Sequence, residues 1–269
     1  MAFFFMPSSQ AIGVFDSGIG GLSVWKEIVA LLPNENIHYI ADNGNCPYGP
    51  KSEQEIINLA ERIVGFLLEK KCKLIVVACN TATAAAIDFL REKYSVPFVG
   101  MEPAVKPAAT TSKTGTIGVL ATEGTFRGRL FNETSRKFAN DKNVYIQVGH
   151  GLVDIVENGK INTPETEELL KKYLEPMLEG GADRIVLGCT HYPFLKKPIE
   201  KILGNRAEII DPSYAVAKRV QELLNANDLT NNSASTPMYS FCYTGNMENL
   251  TPVLSMMGYG SKQIKKISL

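Results

Sequence analysis

The sequence predicts an α/β protein of two similar α/β domains related by internal duplication, with mostly parallel sheets and an active site in the interdomain cleft. Three observations predict it. Apolar runs of strand length alternate with segments whose apolar residues recur at helical spacing, the pattern of a parallel sheet with helical crossovers. The run LIVVA (74–78) is continuously apolar, as a strand covered on both faces is. The second half of the chain also echoes the first in order and at a nearly constant offset. TIGVL (116–120) answers AIGVF (11–15) at 105 residues, VYIQV (144–148) answers HYIAD (38–42) at 106, and RIVLGCTHYP (184–193) answers LIVVACNTAT (74–83) at 110.

The elements follow in order. IGVF (12–15) reads as the first strand, DSGIGG as a turn, and LSVWKEIVALL as a helix. IHYIA (37–41) is the second strand. Ser52 with Glu55 three positions later forms a capping box, and behind it Ile56, Ile57, Ala60, Ile63, Val64, Leu67 and Leu68 keep helical spacing. LIVVA then leads into the helix TATAAAIDFLREKY (81–94) and the strand VPFVG (96–100). In the second half, Thr163 and Pro164 open a helix that Gly180-Gly181 closes. Glu102-Pro103 and Asp211-Pro212 each follow a strand-like run, 23 and 22 residues after Cys79 and Cys189. The tail reads as a polar loop (225–237), a strand MYSFCYT (238–244), a short helix NMENLTPVLSMMG and a final strand KQIKKIS, packed back onto one half. The expected domains are 1–101 together with 213–269, and 102–212.

Composition narrows the partners. The 269 residues carry 28 Lys+Arg against 28 Asp+Glu, so no basic surface for nucleic acid is implied. With 45% hydrophobic and 21% charged residues the chain is ordinary globular material, which excludes disordered, collagen-like and coiled-coil readings. Five cysteines, an odd number without a C-x-x-C pair, argue against a disulfide framework or a four-thiolate zinc site and for a reducing compartment. MAFFFMPSSQ lacks the positive start and the length of a signal core, and no apolar run is long enough for a bilayer. A cytoplasmic protein with neither membrane nor nucleic-acid partners is expected. Its oligomeric state stays open between monomer and homodimer.

Cys79, in CNT, and Cys189, in CTH, each follow a buried-type strand directly and precede a helix. A helix N-terminus favours a thiolate, and a thiolate near neutral pH serves as base or nucleophile. Their repeat-equivalent positions set them apart from Cys46, Cys72 and Cys242, which read as core cysteines. His191, two residues from Cys189, shares a face with it on an extended segment and could activate the thiol or act as general acid. Too few other His or Cys residues accompany the pair to complete a metal site. His38, beside an apolar strand, reads as structural, while His150 in a Gly-flanked turn fits surface, hinge or site alike. Asp16-Ser17-Gly18-Ile19-Gly20-Gly21 turns from strand to helix without the third glycine of a dinucleotide fingerprint, since Ser23 stands there. Its glycines let backbone amides approach an anion, and Asp16 fits a cleft carboxylate or an N-cap equally. Asn80-Thr81 and Thr190 set small hydrogen-bonding groups beside the thiols. Tyr48-Gly49 fits a ligand-holding turn or a surface turn. Glu157, on the apolar stretch LVDIVENG, fits a buried carboxylate orienting a histidine or a solvent-facing one.

Two opposed thiols suit the inversion of a carbon that carries a hydrogen: one base removes the proton from one face while the other returns one to the opposite face. The runs IGVFDSGIGGLSV, PYG, VVACNTA and VLGCTHYP resemble the cofactor-independent glutamate racemases over roughly residues 11–260. The paired CNT and CTH motifs belong to the aspartate/glutamate racemase group, and DSGIGG and PYG favour its glutamate branch. The resemblance implies interconversion of L- and D-glutamate for peptidoglycan without pyridoxal phosphate or metal, between two α/β domains. It implies Cys79 as the base acting on the D-enantiomer, assisted by Asp16. Cys189 would act on the L-enantiomer, assisted by His191 with Glu157 beside it. It implies substrate contacts from Asp16, Ser17, Tyr48, Gly49, Asn80, Thr81, Thr190 and His191, with Thr122 and Thr125 matching a further pair of hydroxyls. The chain departs from the family where many members carry a cysteine–proline–leucine segment and it has QVGHGLVDIVENG. On residue types alone, a thiol hydrolase built on Cys189–His191 and a non-catalytic amino-acid-binding module stay open. The first leaves Cys79 unused; the second leaves both thiols without a task.

Overall fold

The structure, a computed structural model, describes residues 9–233, 235–246, 250–259 and 264–269. MAFFFMPS at the start, residues 247–249 of the expected tail helix and residues 260–263 before the last strand lie outside the described residues.

Along the first half run β1 (Ile12–Asp16), α1 (Leu22–Leu31), β2 (Ile37–Ala41), α2 (Glu53–Glu69), β3 (Leu74–Val77), α3 (Asn80–Lys93), β4 (Phe98–Gly100) and α4 (Val105–Thr111). β1 and β3 are buried at every position, as the centre of a parallel sheet requires. α2 starts at the expected capping box: Ser52 accepts from the Glu55 amide while the Glu55 carboxylate accepts from the Ser52 amide. Its apolar stripe, Ile56, Leu59, Ala60, Ile63, Val64 and Leu67, is buried.

The second half runs β5 (Thr116–Ala121), α5 (Glu123–Arg127), α6 (Arg129–Phe138), β6 (Asn143–Val148), α7 (Leu152–Glu157), α8 (Pro164–Glu179), β7 (Arg184–Gly188), a 3₁₀ turn (Tyr192–Leu195), α9 (Lys196–Leu203), β8 (Glu208–Ile210) and α10 (Ser213–Ala226). Thr163 caps α8 with Pro164 as its first residue, and Gly181, at φ +84°, turns the chain after it. The tail contributes β9 (Tyr239–Tyr243), α11 (Leu250–Met256) and β10 (Ile264–Lys266).

Two sheets result, with strand orders β10-β9-β2-β1-β3-β4 and β6-β5-β7-β8, and every pairing among the described residues is parallel. The order β2-β1-β3-β4 recurs as β6-β5-β7-β8, so the sequence echo is also an echo of topology. The tail strands extend the first sheet beyond β2, with Ile37 opposite Tyr239. Trp25 of α1 makes edge contacts with Tyr239 and Tyr259 at ring separations of 5.3 and 5.0 Å, anchoring the tail through aromatic area. A buried ion pair, Lys73 to Glu35 at 2.6 Å, fastens the passage from α10 to β9: Lys73 also donates to the Leu229 carbonyl, and Glu35 accepts from the Asn231 amide. The consequence for function is positional. In each sheet the second central strand, β3 or β7, delivers a cysteine just past its carboxyl end, where parallel α/β sheets present ligand-binding groups.

Candidate active site

Cys79 is the N-cap of α3, in extended conformation, and its sulfur accepts from the Ala82 amide at 3.4 Å. It is buried, with the Ser17 hydroxyl 3.8 Å from its sulfur. Asp16, last residue of β1, faces the same thiol. Its Oδ2 accepts from the Gly21 amide at 2.6 Å and from the Thr190 hydroxyl at 3.4 Å, and its Oδ1 accepts from Ser17 at 3.4 Å. Burial raises the Asp16 carboxyl above its ordinary range, although the positive charge of His191 and hydrogen bonds from Cys79, Gly21 and Ser17 work the other way. Burial pushes the Cys79 thiol well up, and the negative charges of Asp16 and Cys189 add to it. Burial thus favours the protonated form of Cys79, and Asp16 is its hydrogen-bonding neighbour.

Cys189 follows β7 directly and is also buried. Its sulfur lies 3.8 Å from His191 Nδ1, and His191 Nε2 meets Glu157 Oε1 at 2.6 Å. Burial disfavours a charged ring, but Cys189, Cys46 and Glu157 together outweigh it and hold the imidazolium well above the ordinary histidine range. Each thiol thus has its own acid–base partner, a carboxylate for Cys79 and an imidazolium for Cys189.

The glycine turn after β1 serves a purpose the sequence did not disclose. Its amides go to the protein's own carboxylates, Ile19 to Glu157 at 2.8 Å and Gly21 to Asp16. A Cβ on Gly18 would run into Glu157 Oε1, and one on Gly20 into His191 Nδ1, so the missing side chains admit the imidazole and its carboxylate. Tyr39 secures the turn by donating to the Gly18 carbonyl at 2.8 Å.

A second set of contacts joins the two halves on the Cys79 side. Thr81 and Thr122 hydroxyls meet at 2.8 Å, Thr122 and Thr125 at 2.9 Å, and Thr125 reaches the Gly188 carbonyl at 3.4 Å. Asn80 is 3% exposed, and neither its amide oxygen nor its amide nitrogen has a partner among the described residues. Buried amides without a protein partner are uncommon in folded proteins. Tyr48 is buried too, but its hydroxyl donates to Asp42 at 2.5 Å. Gly49 offers its carbonyl to Arg127 at 3.1 Å. Among the described residues, His38 pairs with Ser240 across β2 and β9, and His150 is exposed. A groove of about 660 Å³ between α8 and α9, lined in part by Glu167, Lys171, Lys197 and Lys201, holds none of these residues.

One residue escaped the sequence reading. Cys46, read as a core cysteine, brings its sulfur to the Glu157–His191 pair: the ligating atoms of Cys46, Glu157 and His191 lie within 4.8 Å of one another. No periodicity or spacing marks it, because it sits in the irregular segment between β2 and α2; its place in the motif CPYG was the one available signal. The fold thus surrounds His191 with possible metal donors that the Cys189–His191 spacing alone does not supply.

Comparison with known proteins agrees with this geometry. The sequence model of the Asp/Glu/hydantoin racemase family matches residues 12–220. A glutamate racemase of Herpetosiphon aurantiacus is 50% identical over 226 residues, 84% of this chain and 89% of that one. One of Pseudomonas aeruginosa is 47% identical over 249 residues, 91% of this chain and 94% of that one. Among solved structures, glutamate racemase RacE1 of Bacillus anthracis superposes with a TM-score of 0.88 at 33% identity, covering 97% of this chain and 98% of that one. Glutamate racemase of Francisella tularensis, in complex with D-glutamate, does so with a TM-score of 0.85 at 32% identity and the same coverage.

Proposed function

This chain belongs to the Asp/Glu/hydantoin racemase family, and from that premise we propose that it interconverts L- and D-glutamate by proton transfer between two thiols at the α-carbon, supplying D-glutamate for peptidoglycan. The observation that carries the reading is the pair of buried cysteines at equivalent strand ends, each with its own acid–base partner. In the L-to-D direction, Cys189 as thiolate takes the α-proton, and the Cys79 thiol returns one to the opposite face. The reverse reaction exchanges their roles. His191, held cationic by its acceptors, assists Cys189, and Glu157 orients the ring. Asp16, its carboxyl raised by burial, shares a proton with Cys79. The α-carbon is a far weaker acid than a thiol, so the closed, dry surroundings of both sulfurs matter: electrostatic support for the carbanion is strongest where water is excluded.

Substrate is held by Asp16-Ser17, Asn80-Thr81, Thr190-His191 and the Thr122–Thr125 hydroxyls in this proposal, with the orphaned Asn80 amide the strongest single contact. Tyr48-Gly49 shapes the wall, its phenol already committed to Asp42. The proposal keeps two functional domains, 1–101 with 213–269 and 102–212, enclosing the substrate, and the reaction requires no cofactor or metal. No helix among the described residues is long and apolar enough to cross a membrane, which accords with a cytoplasmic enzyme. A homodimer completes the proposal; light scattering at working concentration distinguishes one copy from two.

The decisive experiment follows circular dichroism of L- and D-glutamate with purified protein in deuterated water. Racemisation without added cofactor, with deuterium entering the α-position, is expected. Cys79→Ala and Cys189→Ala should each lower the rate by about 10³-fold or more, at the upper part of the ~10²–10⁴ that a full general acid or base supplies. Full racemisation by either variant rules out the two-thiol mechanism, and faster turnover of aspartate than glutamate rules out the substrate.

A further inference from the structure

Cys46 touches neither substrate nor thiol in the reaction described above and acts there only through its contact with His191, yet its sulfur, a ring nitrogen of His191 and a carboxylate oxygen of Glu157 converge within 4.8 Å. One thiol, one imidazole and one carboxylate are the three protein ligands of an open zinc site, with a fourth position left for water or another donor. The sulfur biases such a set toward thiophilic cations and away from magnesium and calcium, which prefer all-oxygen shells. The donors come from three separate parts of the fold: the segment between β2 and α2, the last residue of α7, and the turn after β7. The Glu157 carboxylate is already aimed by the Ile19 amide at 2.8 Å, the kind of outer contact that orients metal ligands. The glycine at position 18 keeps the space beside Glu157 and His191 clear. Cys46 is partly exposed and the Glu157 side chain 14% exposed, so a cation approaches buried His191 past these two donors.

We propose that Cys46, Glu157 and His191 form a binding site for a thiophilic divalent cation such as zinc, and that its occupancy takes the imidazolium proton and the Glu157 contact from His191, the partner of Cys189, and stops racemisation. On binding, the cation accepts lone pairs from the Cys46 sulfur, a His191 nitrogen and a Glu157 oxygen. The Cys46 thiol proton and the imidazolium proton leave to solvent, the Glu157–His191 hydrogen bond breaks, and no group changes oxidation state. The inhibitory half rests on the racemase reading; the binding half does not.

The test uses the whole protein, freed of metal by dialysis against a chelator. Zinc chloride is titrated in competition with a chromophoric zinc indicator, and cobalt(II) is added separately to read thiolate ligation from its near-ultraviolet charge-transfer band. Turnover is then measured at the same buffered free zinc, each variant relative to its own zinc-free rate. One zinc per chain is expected, with a cobalt–thiolate band that Cys46→Ser abolishes. Zinc affinity should fall at least about 10-fold in Cys46→Ser and in Cys46→Ala, and wild-type turnover should fall in step with occupancy while both variants resist. Far-ultraviolet circular dichroism checks that the variants are folded. Unchanged zinc affinity in both Cys46 variants overturns the site, as does a cobalt band that vanishes in Cys189→Ala but survives Cys46→Ser. Cys46-dependent binding without inhibition overturns the regulatory half. Cys46-dependent binding to a protein that never racemises glutamate upholds the site and sinks the racemase reading.

Discussion

Glu157 Oε1 lies 2.6 Å from His191 Nε2, and the same oxygen accepts the Ile19 amide at 2.8 Å. One carboxylate at the end of α7 therefore joins the turn after β1 to the turn after β7, and fixes which way the imidazole faces Cys189. Glu157→Gln keeps the shape but removes the charge. Turnover with either enantiomer should fall at least about 10-fold, short of the ~10²–10⁴ that a full general acid or base supplies. Stability carries a pH signature as well. The folded-state pKa of His191 is raised above its unfolded value of 6.5, so its contribution is complete below that value and is lost as pH rises through the folded one. Denaturant titrations of wild type and Glu157→Gln from about pH 5.5 upward should show a gap that is widest at the acidic end and closes at alkaline pH. A gap that widens with pH contradicts the cationic His191.

Gly20→Ala tests the close approach of the two halves. The added methyl would collide with His191 Nδ1 and stand 2.7 Å from Thr190 Oγ1. The protein should still fold, with a loss of about 1–3 kcal/mol from overpacking. Its rate should drop about 100-fold, because an ångström of misplacement at a reacting group is enough for that. Gly65 on α2 has nothing within 4 Å of a built Cβ, and Gly65→Ala should instead stabilise by roughly 0.5–1 kcal/mol with turnover unchanged. Thermal melts and racemase rates on the two variants separate a functional glycine from an incidental one.

Asn80 tests substrate binding. Its amide is buried at the first turn of α3 with neither polar atom paired to another described residue, and Asn80→Ala removes both atoms while inserting a better helix former. KM for both enantiomers should rise 10-fold or more. A variant that keeps its KM shows that the amide does not serve the substrate.

The parts of this molecule that were readable from sequence are those dictated by local burial. β1, β3, β5 and β7 are buried end to end, so they appear as unbroken apolar runs, and the residues after β3 and β7 could be singled out. The tail strands were readable as strands but not as the extension of the sheet beyond β2, because register between Ile37 and Tyr239 joins residues 202 positions apart. Glu157 could be read either way until α7 set it against His191. Tyr48 could be read as part of a ligand-holding turn or of a surface turn; Asp42, six residues earlier across an irregular loop, takes its hydroxyl. Cys46 was hidden for the same reason, since loop geometry leaves no periodic trace. The glycines after Asp16 announced a close approach of backbone to an anion. That the anions are Asp16 and Glu157 depends on a contact spanning 138 residues, which no local pattern encodes.

Asp16 and Cys79 make the sharpest electrostatic prediction. Cys79 is pushed well up by burial and then by the negative charge of Asp16. The active pair needs one thiol and one thiolate, so loss of the Cys79 proton closes the reaction from the alkaline side. Asp16→Asn removes the charge while leaving an oxygen for the Gly21 amide, whose present bond is 2.6 Å. The Cys79 pKa must then fall, and the alkaline limb of kcat/KM must move to lower pH. It must move equally for both enantiomers, because the equilibrium constant of a racemisation is unity and ties the two kcat/KM values together at every pH. The height of the profile should also drop, since Asn cannot share a proton with the thiol as the raised Asp16 carboxyl can. Iodoacetamide labelling read by peptide mass spectrometry gives an independent measure: Cys79 should begin to react at lower pH in Asp16→Asn than in wild type. An alkaline limb and a labelling onset that both stay in place, or both move upward, would show that Asp16 does not govern the protonation of Cys79.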